Sequence, residues 1–517
     1  MRAELQLIPF RLDGRPVEVP DDGGSLLDAL RRLGARTPKD GCSPQGQCGC
    51  CTVWVDGQPR VSCVTPVARV AGREVTTLEG LPDADAWTAT FARHGAAQCG
   101  FCTPGILMRV AALTPAARTQ PAAVHRALAA HLCRCTGWQP IVEAVMAFGA
   151  EQPAEQPVAA PSAEARVAAE RRAAIEGHPP QRVGPEVCAG AGGFADDTAP
   201  PDALVAIRDA AGTWHVAESV AEARRLAGRI QGRRSTAPLT WPLEVPPGDW
   251  DRTLQTTWVE PGYLEPDASW CTPGGEPATP LANGGAFGGK VDSEVPAVAR
   301  RLADEHGRPV RVLYTREDVV RLGPKRPPIA AGIRRDGTGV VRVCRTPGIA
   351  EAITSVAPGL TVEEVDVAGP RTSSALRAAG WAEAAILLAS LGDGPDTVVA
   401  PGGGRATATV DADGVHVRVR CGDPLDEVVL RSYCTGAAHM ALGWVRSEGL
   451  ALDEHGVPVD LTIRSFGILR ASDVPPIHVE IEPDDGPPVN GSDAVFAAVA
   501  AATWRAAGFP PRWPLTA

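Results

Sequence analysis

The chain has 517 residues, 44% of them hydrophobic, with 50 Lys and Arg against 61 Asp and Glu, a net charge of −11. That length allows about three or four domains of ordinary size, and the acid excess argues against a nucleic-acid binder and against a polybasic membrane anchor. The longest apolar stretch, Ala378–Leu391, is interrupted by Glu383 and too short to span a bilayer, and the N-terminal residues have no apolar signal-peptide core, so the reading is a cytoplasmic protein with no membrane contact.

Fourteen cysteines are present, and nine of them precede residue 136. In a cytoplasmic chain, cysteines clustered in this way point to metal or redox chemistry rather than disulfides.

Residues 5–20 predict a hairpin turning at Asp13-Gly14. A helix follows, with Ser25 as N-cap, Leu26, Leu27, Leu30 and Leu33 on one face, and Gly34 as its stop. After a cysteine loop at 41–51, Thr52–Val55 and the turn Asp56-Gly57 open a second hairpin. Two hairpins around one helix predict a β-grasp, ferredoxin-like domain over 1–80. Residues 81–150 predict four helices, at 86–95, 104–114, 121–132 and 139–149, with Pro104 and Pro140 in first turns. Residues 151–183 carry Glu-Gln-Pro twice and read as a solvated linker ending in a charged helix. From 184 the pattern is mixed α/β. It has strands at Ala203–Ile207, Val310–Tyr314, Val340–Cys344, Val415–Val419 and Ile477–Ile481, and helices at 219–231, 294–306, 372–391 and 493–507. The expected fold class is α+β multidomain: the β-grasp, the four-helix domain, then mixed α/β domains at 184–255 and 256–517.

Cys42, Cys48 and Cys51 lie on one loop, and Cys63 follows on the next strand pair. Three thiolates on an irregular loop plus one more can surround a [2Fe-2S] core. Gly41, Gly46 and Gly49 let that loop curl and turn its N–H groups toward sulfur. Cys50, beside Cys51, is expected to point away. The alternative is a zinc site, although zinc ribbons use two compact C-x2-C knuckles. A second set, Cys99, Cys102, Cys133 and Cys135, places each pair just before a helix start. Two helix N-termini would favour an anionic cluster there.

The strings Gln47-Cys48-Gly49-Cys50-Cys51-Thr52-Val53, Gln98-Cys99-Gly100-Phe101-Cys102-Thr103-Pro104-Gly105 and Leu132-Cys133-Arg134-Cys135-Thr136-Gly137 resemble the iron–sulfur half of the xanthine dehydrogenase/aldehyde oxidase family of molybdenum hydroxylases. One departure is the gap of five residues between Cys42 and Cys48, where the plant-type pattern has four. The remainder resembles the family's molybdopterin subunit. The segments Val187-Cys188-Ala189-Gly190, Phe194-Ala195-Asp196-Asp197 and Glu260-Pro261-Gly262-Tyr263-Leu264-Glu265-Pro266 are similar to its first α/β domain, making 184–255 a hammerhead-like remnant, and to the approach to its cofactor. Gly284-Gly285-Ala286-Phe287-Gly288-Gly289-Lys290 is similar to its cofactor glycine loop. Arg311–Asp318 with Pro324-Lys325-Arg326-Pro327 also fits, or is a strand, a turn and a solvated charge run. Arg377 stands where the family has a substrate-side arginine, preceded by Leu376 instead of phenylalanine; a surface helix arginine is the alternative. His439 is given no role.

The resemblance implies two [2Fe-2S] clusters held by the eight cysteines, and a molybdopterin contacted by Gln98, Gly284, Gly285, Ala286, Phe287, Gly288 and Arg377. It implies an aldehyde or N-heterocycle substrate, a separate flavin subunit or external electron acceptor, and an oligomer. Family catalysis needs a glutamate in a late G-x-G-E segment. Here that stretch reads Gly486-Pro487-Pro488-Val489-Asn490-Gly491-Ser492-Asp493, so no catalytic residue is assigned. Asp493 either substitutes for that glutamate or is an early-turn or N-cap acid of the next helix. The molybdenum half is abridged and no flavin domain is visible. Two functions follow: an oxidoreductase passing electrons from a molybdopterin-type site through both clusters to an external acceptor, or a non-catalytic electron-transfer or scaffold subunit.

Overall fold

Both N-terminal hairpins form where their turn residues place them. In the computed structural model, which describes residues 6–150, 162–228, 237–279, 285–394 and 397–516, β1 (Leu7–Leu12) and β2 (Arg15–Pro20) pair around Asp13 and Gly14. β3 (Thr52–Val55) and β4 (Gln58–Val61) pair around Asp56 and Gly57. All four turn residues have positive φ, as two-residue hairpin turns require. The sequence reading missed β5 (Glu74–Thr76), a three-residue strand between the hairpins, parallel to β1 and antiparallel to β3. The sheet order is β2-β1-β5-β3-β4. α1 (Leu26–Arg32) starts at a capping box between Ser25 and Asp28 and buries Leu26, Leu27, Ala29 and Leu30.

The next residues form α2 (Ala84–Arg93), α3 (Thr103–Ala111), α4 (Pro115–Arg118), α5 (Pro121–Leu128) and α6 (Gln139–Ala150). The helix expected to reach 132 stops at Leu128. Beyond it the chain turns, so that the Leu132 N–H donates to the Cys48 carbonyl at 3.0 Å. α4 is an additional turn started by Thr114, whose hydroxyl caps Ala117 N. The helix expected at the end of the linker forms as α7 (Ala163–Gly177); it is exposed up to Val167, and beyond that Ala169, Arg172, Ala173 and Glu176 are buried.

Among the described residues, the remainder holds three four-stranded sheets. The first joins Leu204–Arg208 to Trp214–Ala217 and Val310–Leu313, with Ala268–Cys271 on its edge. The second orders Leu360–Val365, Gly339–Cys344, Ile329–Ile333 and Arg252–Gln255. The third orders Val398–Val399, Arg405–Val410, Val415–Arg420 and Ile477–Ile481. Its cover is a pair of helices, Glu427–Arg446 and Ser492–Ala506, with Trp444 stacked on Phe496 at 5.3 Å. The helix expected over 372–391 spans only Trp381–Ala389. Ala378 and Gly380 have positive φ and end any helix reading there. Arg377 therefore lies in a turn, 3% exposed, and is not a surface helix residue. The helix read over 219–231 is seen as Val220–Ala227, closed by left-handed Gly228. Among the described residues no helix is long and apolar enough to cross a membrane.

Candidate iron–sulfur centres and the adjoining half

The loop between α1 and β3 carries Cys42, Cys48 and Cys51, and Cys63 follows β4; all four are buried. The additional residue in the first gap is taken up in a turn where Ser43 and Gly46 have positive φ. N–H groups of Gln45 and Gln47 donate to Cys42 Sγ at 3.2 and 3.4 Å, and Cys63 N donates to Cys51 Sγ at 3.4 Å. Hydrogen bonds from the Cys48 and Cys63 thiols, helped by backbone N–H groups, hold the Cys42 thiol well below its ordinary range. Cys50 does not reach the surface. It is fully buried, its Sγ 3.9 Å from the Cys48 carbonyl.

Cys99 and Cys102 stand immediately before α3, and Cys133 and Cys135 four to six residues before α6. The Cys135 and Cys99 sulfurs are 3.5 Å apart. Cys133 meets the Cys102 thiol and, at 3.1 Å, the Thr136 hydroxyl. The Cys102 hydrogen bond is the main reason the Cys133 thiol is held down to about 6.

In the first set Cys42 meets both Cys48 and Cys63, Cys63 also meets Cys51, and Cys50, expected to point away, meets Cys48; in the second, Cys99 meets Cys135 and Cys102 meets Cys133. Four cysteines around two irons give two thiolates to each metal. Zinc would instead draw all four onto one ion. Among the described residues, no three His, Cys, Asp or Glu side chains close on a single ion.

The two sets adjoin. A Cβ on Gly105 in α3 would lie 2.3 Å from the Gly49 carbonyl, and one on Gly49 2.4 Å from the His131 ring. Both glycines are required by close approach. His131 is buried and pushed down to about 3 by desolvation, which keeps it neutral.

The C-terminal half grips both sets. Arg134, between two candidate ligands, runs into that half and forms a two-pronged ion pair with Glu448, at 2.5 and 2.7 Å, while its Nε donates to the Pro261 carbonyl. Both partners are at most 4% exposed. Gly436, on the helix Glu427–Arg446, leaves no room: a Cβ there would lie 1.7 Å from the Cys135 carbonyl oxygen. Gln98 donates to that same carbonyl at 2.9 Å and to Ser432 Oγ at 3.2 Å, and its own Oε1 is buried without a partner. On the first set, Arg316 donates to the Gly41 and Leu264 carbonyls, Gln45 to the Leu461 carbonyl at 2.7 Å, and Arg464 to the Gln47 carbonyl at 2.9 Å.

Of the expected glycine loop, Gly284 lies outside the described residues. Gly285 abuts Arg134 and the Cys135 sulfur, 3.3 Å from where its Cβ would be. Phe287 accepts a hydrogen bond from Arg377 N at 3.0 Å, and its ring lies under the Arg377 guanidinium at 4.2 Å. Gly288 abuts the Ala375 carbonyl, and Ala286 is buried. The loop, Arg377 and the second cysteine set are therefore neighbours.

Arg377 is not free to meet a ligand. Its Nε donates to Asp493 Oδ1 at 2.8 Å, and a terminal nitrogen donates to Ser492 Oγ. Asp493 also accepts from His178 at 3.1 Å. Burial pushes its carboxyl up, but the His178 hydrogen bond and the Arg377 charge outweigh this and hold it below the ordinary range. It is an ion-paired acid in a helix's first turn and poorly suited to take up a proton. In the family-like segment 324–327, Arg326 is paired with Glu383 at 2.8 and 2.9 Å and stacked over Trp444, and Lys325 with Glu260 at 2.9 Å. Both are buried, so the alternative reading of a solvated charge run does not hold. His439 is packed inside, neutral, desolvation pushing it down to about 4.

Residues 6–80 match the family described as "2Fe-2S iron-sulfur cluster binding domain", and 77–146 the family described as "[2Fe-2S] binding domain". Over 145 residues the chain is 40% identical to the xanthine dehydrogenase iron-sulfur-binding subunit of Escherichia coli O157:H7, spanning 27% of this chain and 87% of that one. The chain belongs to the molybdenum hydroxylase family. It carries its two [2Fe-2S] domains, and the oxidoreductase class comes with them. It spans 12% of the xanthine dehydrogenase of Blastobotrys adeninivorans, at 36% identity over 165 residues, 28% of this chain. Its fold matches the aldehyde oxidoreductase of Desulfovibrio gigas with a TM-score of 0.73, covering 99% of each chain at 15% identity.

The eight thiols are buried and grouped in two sets of four, with N–H donors on Cys42 and Cys51, and fit two [2Fe-2S] clusters. The fit for a molybdopterin differs. Between the glycine loop and the second set, the described residues leave a cavity of about 40 Å³, walled by Arg134, Phe287, Leu376, Arg377, Met440 and Glu448 among others. Cofactor pockets are roughly 300–1,000 Å³. The cavity the described residues leave here is smaller than that range.

Proposed function

We propose that this molybdenum hydroxylase family member is a two-cluster electron-transfer subunit whose C-terminal half serves as a scaffold. Cys42, Cys48, Cys51 and Cys63 would hold one cluster, and Cys99, Cys102, Cys133 and Cys135 the other. Bound clusters of this kind exchange single electrons. The chain's own residues bury the thiolates, supply N–H donors to the sulfurs, exclude water, and join the two sites through the Leu132–Cys48 hydrogen bond. The observation that carries the scaffold reading is the packing at the second site. Gly436 touches the Cys135 backbone, Arg134 is spent on Glu448, and Arg377 on Asp493.

A second reading, a hydroxylase acting on an aldehyde or N-heterocycle, is favoured by one feature: the buried, unpartnered Gln98 Oε1 beside the second set. Metal and pterin analysis of chain expressed where molybdopterin is made separates the two. The scaffold reading expects iron and acid-labile sulfide with neither molybdenum nor pterin. Stoichiometric molybdenum with pterin would overturn it in favour of the second.

A further inference from the structure

A cavity of about 650 Å³ lies at the seam between the first cysteine domain and the segments 194–220 and 265–314. Pockets of this size at domain interfaces are where small molecules bind. One wall is Lys39, Asp40 and Ser43, which flank Cys42, and Lys39 N donates to the Cys50 carbonyl at 3.2 Å. Another is apolar: Leu27, Phe101 and Phe194, the last two edge to face at 5.0 Å.

One cation of this cavity has no carboxylate partner among the described residues. Asp196 and Asp197 are shared among three cations: Arg31 bonds both, at 2.8 and 2.6 Å, Arg311 bonds Asp196 at 3.0 Å, and Lys39 bonds Asp197. Lys39 is 2% exposed. A fourth cation, the half-buried Arg36, has among the described residues only the Arg31 carbonyl for its guanidinium, at 3.0 Å. Burial and the adjacent Arg31 and Arg311 charges hold it below its ordinary pKa. Within this cluster the two carboxylates are taken by Arg31, Arg311 and Lys39, which leaves the Arg36 charge without one. The other lining acids have partners of their own or are exposed, two of them sharing one arginine. Asp28 and Asp40 hold Arg224, Glu218 holds Arg308, Glu265 holds Lys290, Asp267 accepts from the Tyr263 and Ser293 hydroxyls, and Asp202 is exposed.

We propose that this seam cavity binds a small organic anion, its carboxylate or phosphate head on Arg36 beside Arg31 and Arg311 and its apolar body against Leu27, Phe101 and Phe194. The ligand would sit against the loop that carries Cys42, a position from which an added negative charge acts on whatever that loop holds. Arginine suits such a head because its planar fork matches carboxylate and phosphate geometry.

Calorimetric titration of the cluster-loaded full chain tests this with three probes: benzoate, phenyl phosphate and benzyl alcohol. Saturable binding of benzoate or phenyl phosphate is expected, weakened about tenfold or more in Arg36→Gln, as for one charged hydrogen bond removed. The tighter of the two anions identifies the head group. Benzyl alcohol, with the ring and no charge, should give no saturable heat. The proposal is overturned if neither anion binds by about 10 mM, if Arg36→Gln binds as tightly as the wild type, or if benzyl alcohol binds equally well.

Discussion

Replacing Glu448 by Gln is expected to cost the second iron–sulfur site while sparing the first. Arg134 sits between Cys133 and Cys135, and Glu448 is its ion-pair partner, 1% exposed. Removing one partner of a buried pair leaves the other uncompensated, at a cost of ~3–5 kcal/mol. Because Arg134 is part of the cysteine loop, that cost falls on the geometry of two candidate ligands. The variant should contain about half the iron of the wild type and keep the absorbance of one cluster. Replacing both Arg134 and Glu448 by Met removes the charges together, a change that is often close to neutral. Recovery of iron in that double variant separates the ion pair from a general loss of fold. Equal iron in wild type and Glu448→Gln would show that the clamp does not hold the site.

Gly436→Ala should have an effect of similar size by a different route. Alanine in a helix interior ordinarily gains up to about 1 kcal/mol over glycine. Here the new methyl would lie 1.7 Å from the Cys135 carbonyl oxygen, a backbone atom. The helix Glu427–Arg446 must therefore withdraw from the second cysteine loop. The expected result is a lower midpoint in urea and faster bleaching of one cluster in air. Gly402→Ala serves as the control, since nothing lies within 4 Å of its Cβ position. A Gly436→Ala chain as stable and as slowly bleached as the control would contradict the packing described.

Local signals carried much of this into the sequence. Asp13-Gly14 and Asp56-Gly57 announced the hairpins, and Ser25 the first helix, because turns and caps depend on one or two residues. The strand Ile477–Ile481 and the helix at 492–506 were legible from their apolar patterns. The cysteine spacing pointed to both candidate sites for the same local reason. What stayed hidden depends on long-range partners. β5 is three residues long and exists because two hairpins flank it. Arg172 and Glu176 read as part of a charged helix at the end of a solvated linker, yet both are fully buried. Glu176 accepts from Gly491 and Ser492 N, and Arg172 donates to carbonyls of Asp423, Pro424 and Val489. Nothing in their spacing names partners some 250 to 320 residues away. Likewise Lys325 and Arg326 resembled surface charge until Glu260 and Glu383 were found across from them. The missing late glutamate was legible, and the structure adds that Asp493 is already committed to Arg377 and His178.

The most direct test is electron paramagnetic resonance of the iron-reconstituted chain after stepwise reduction. Two groups of four thiols, each spanning two irons, predict two separate rhombic signals from one-electron-reduced clusters. Because Gly105 packs on Gly49 and Leu132 bonds Cys48, the two signals should broaden each other once both centres are reduced. Cys63→Ser should remove one signal and Cys135→Ser the other. A single signal, a silent and colourless protein, or one signal lost in both variants would contradict the account.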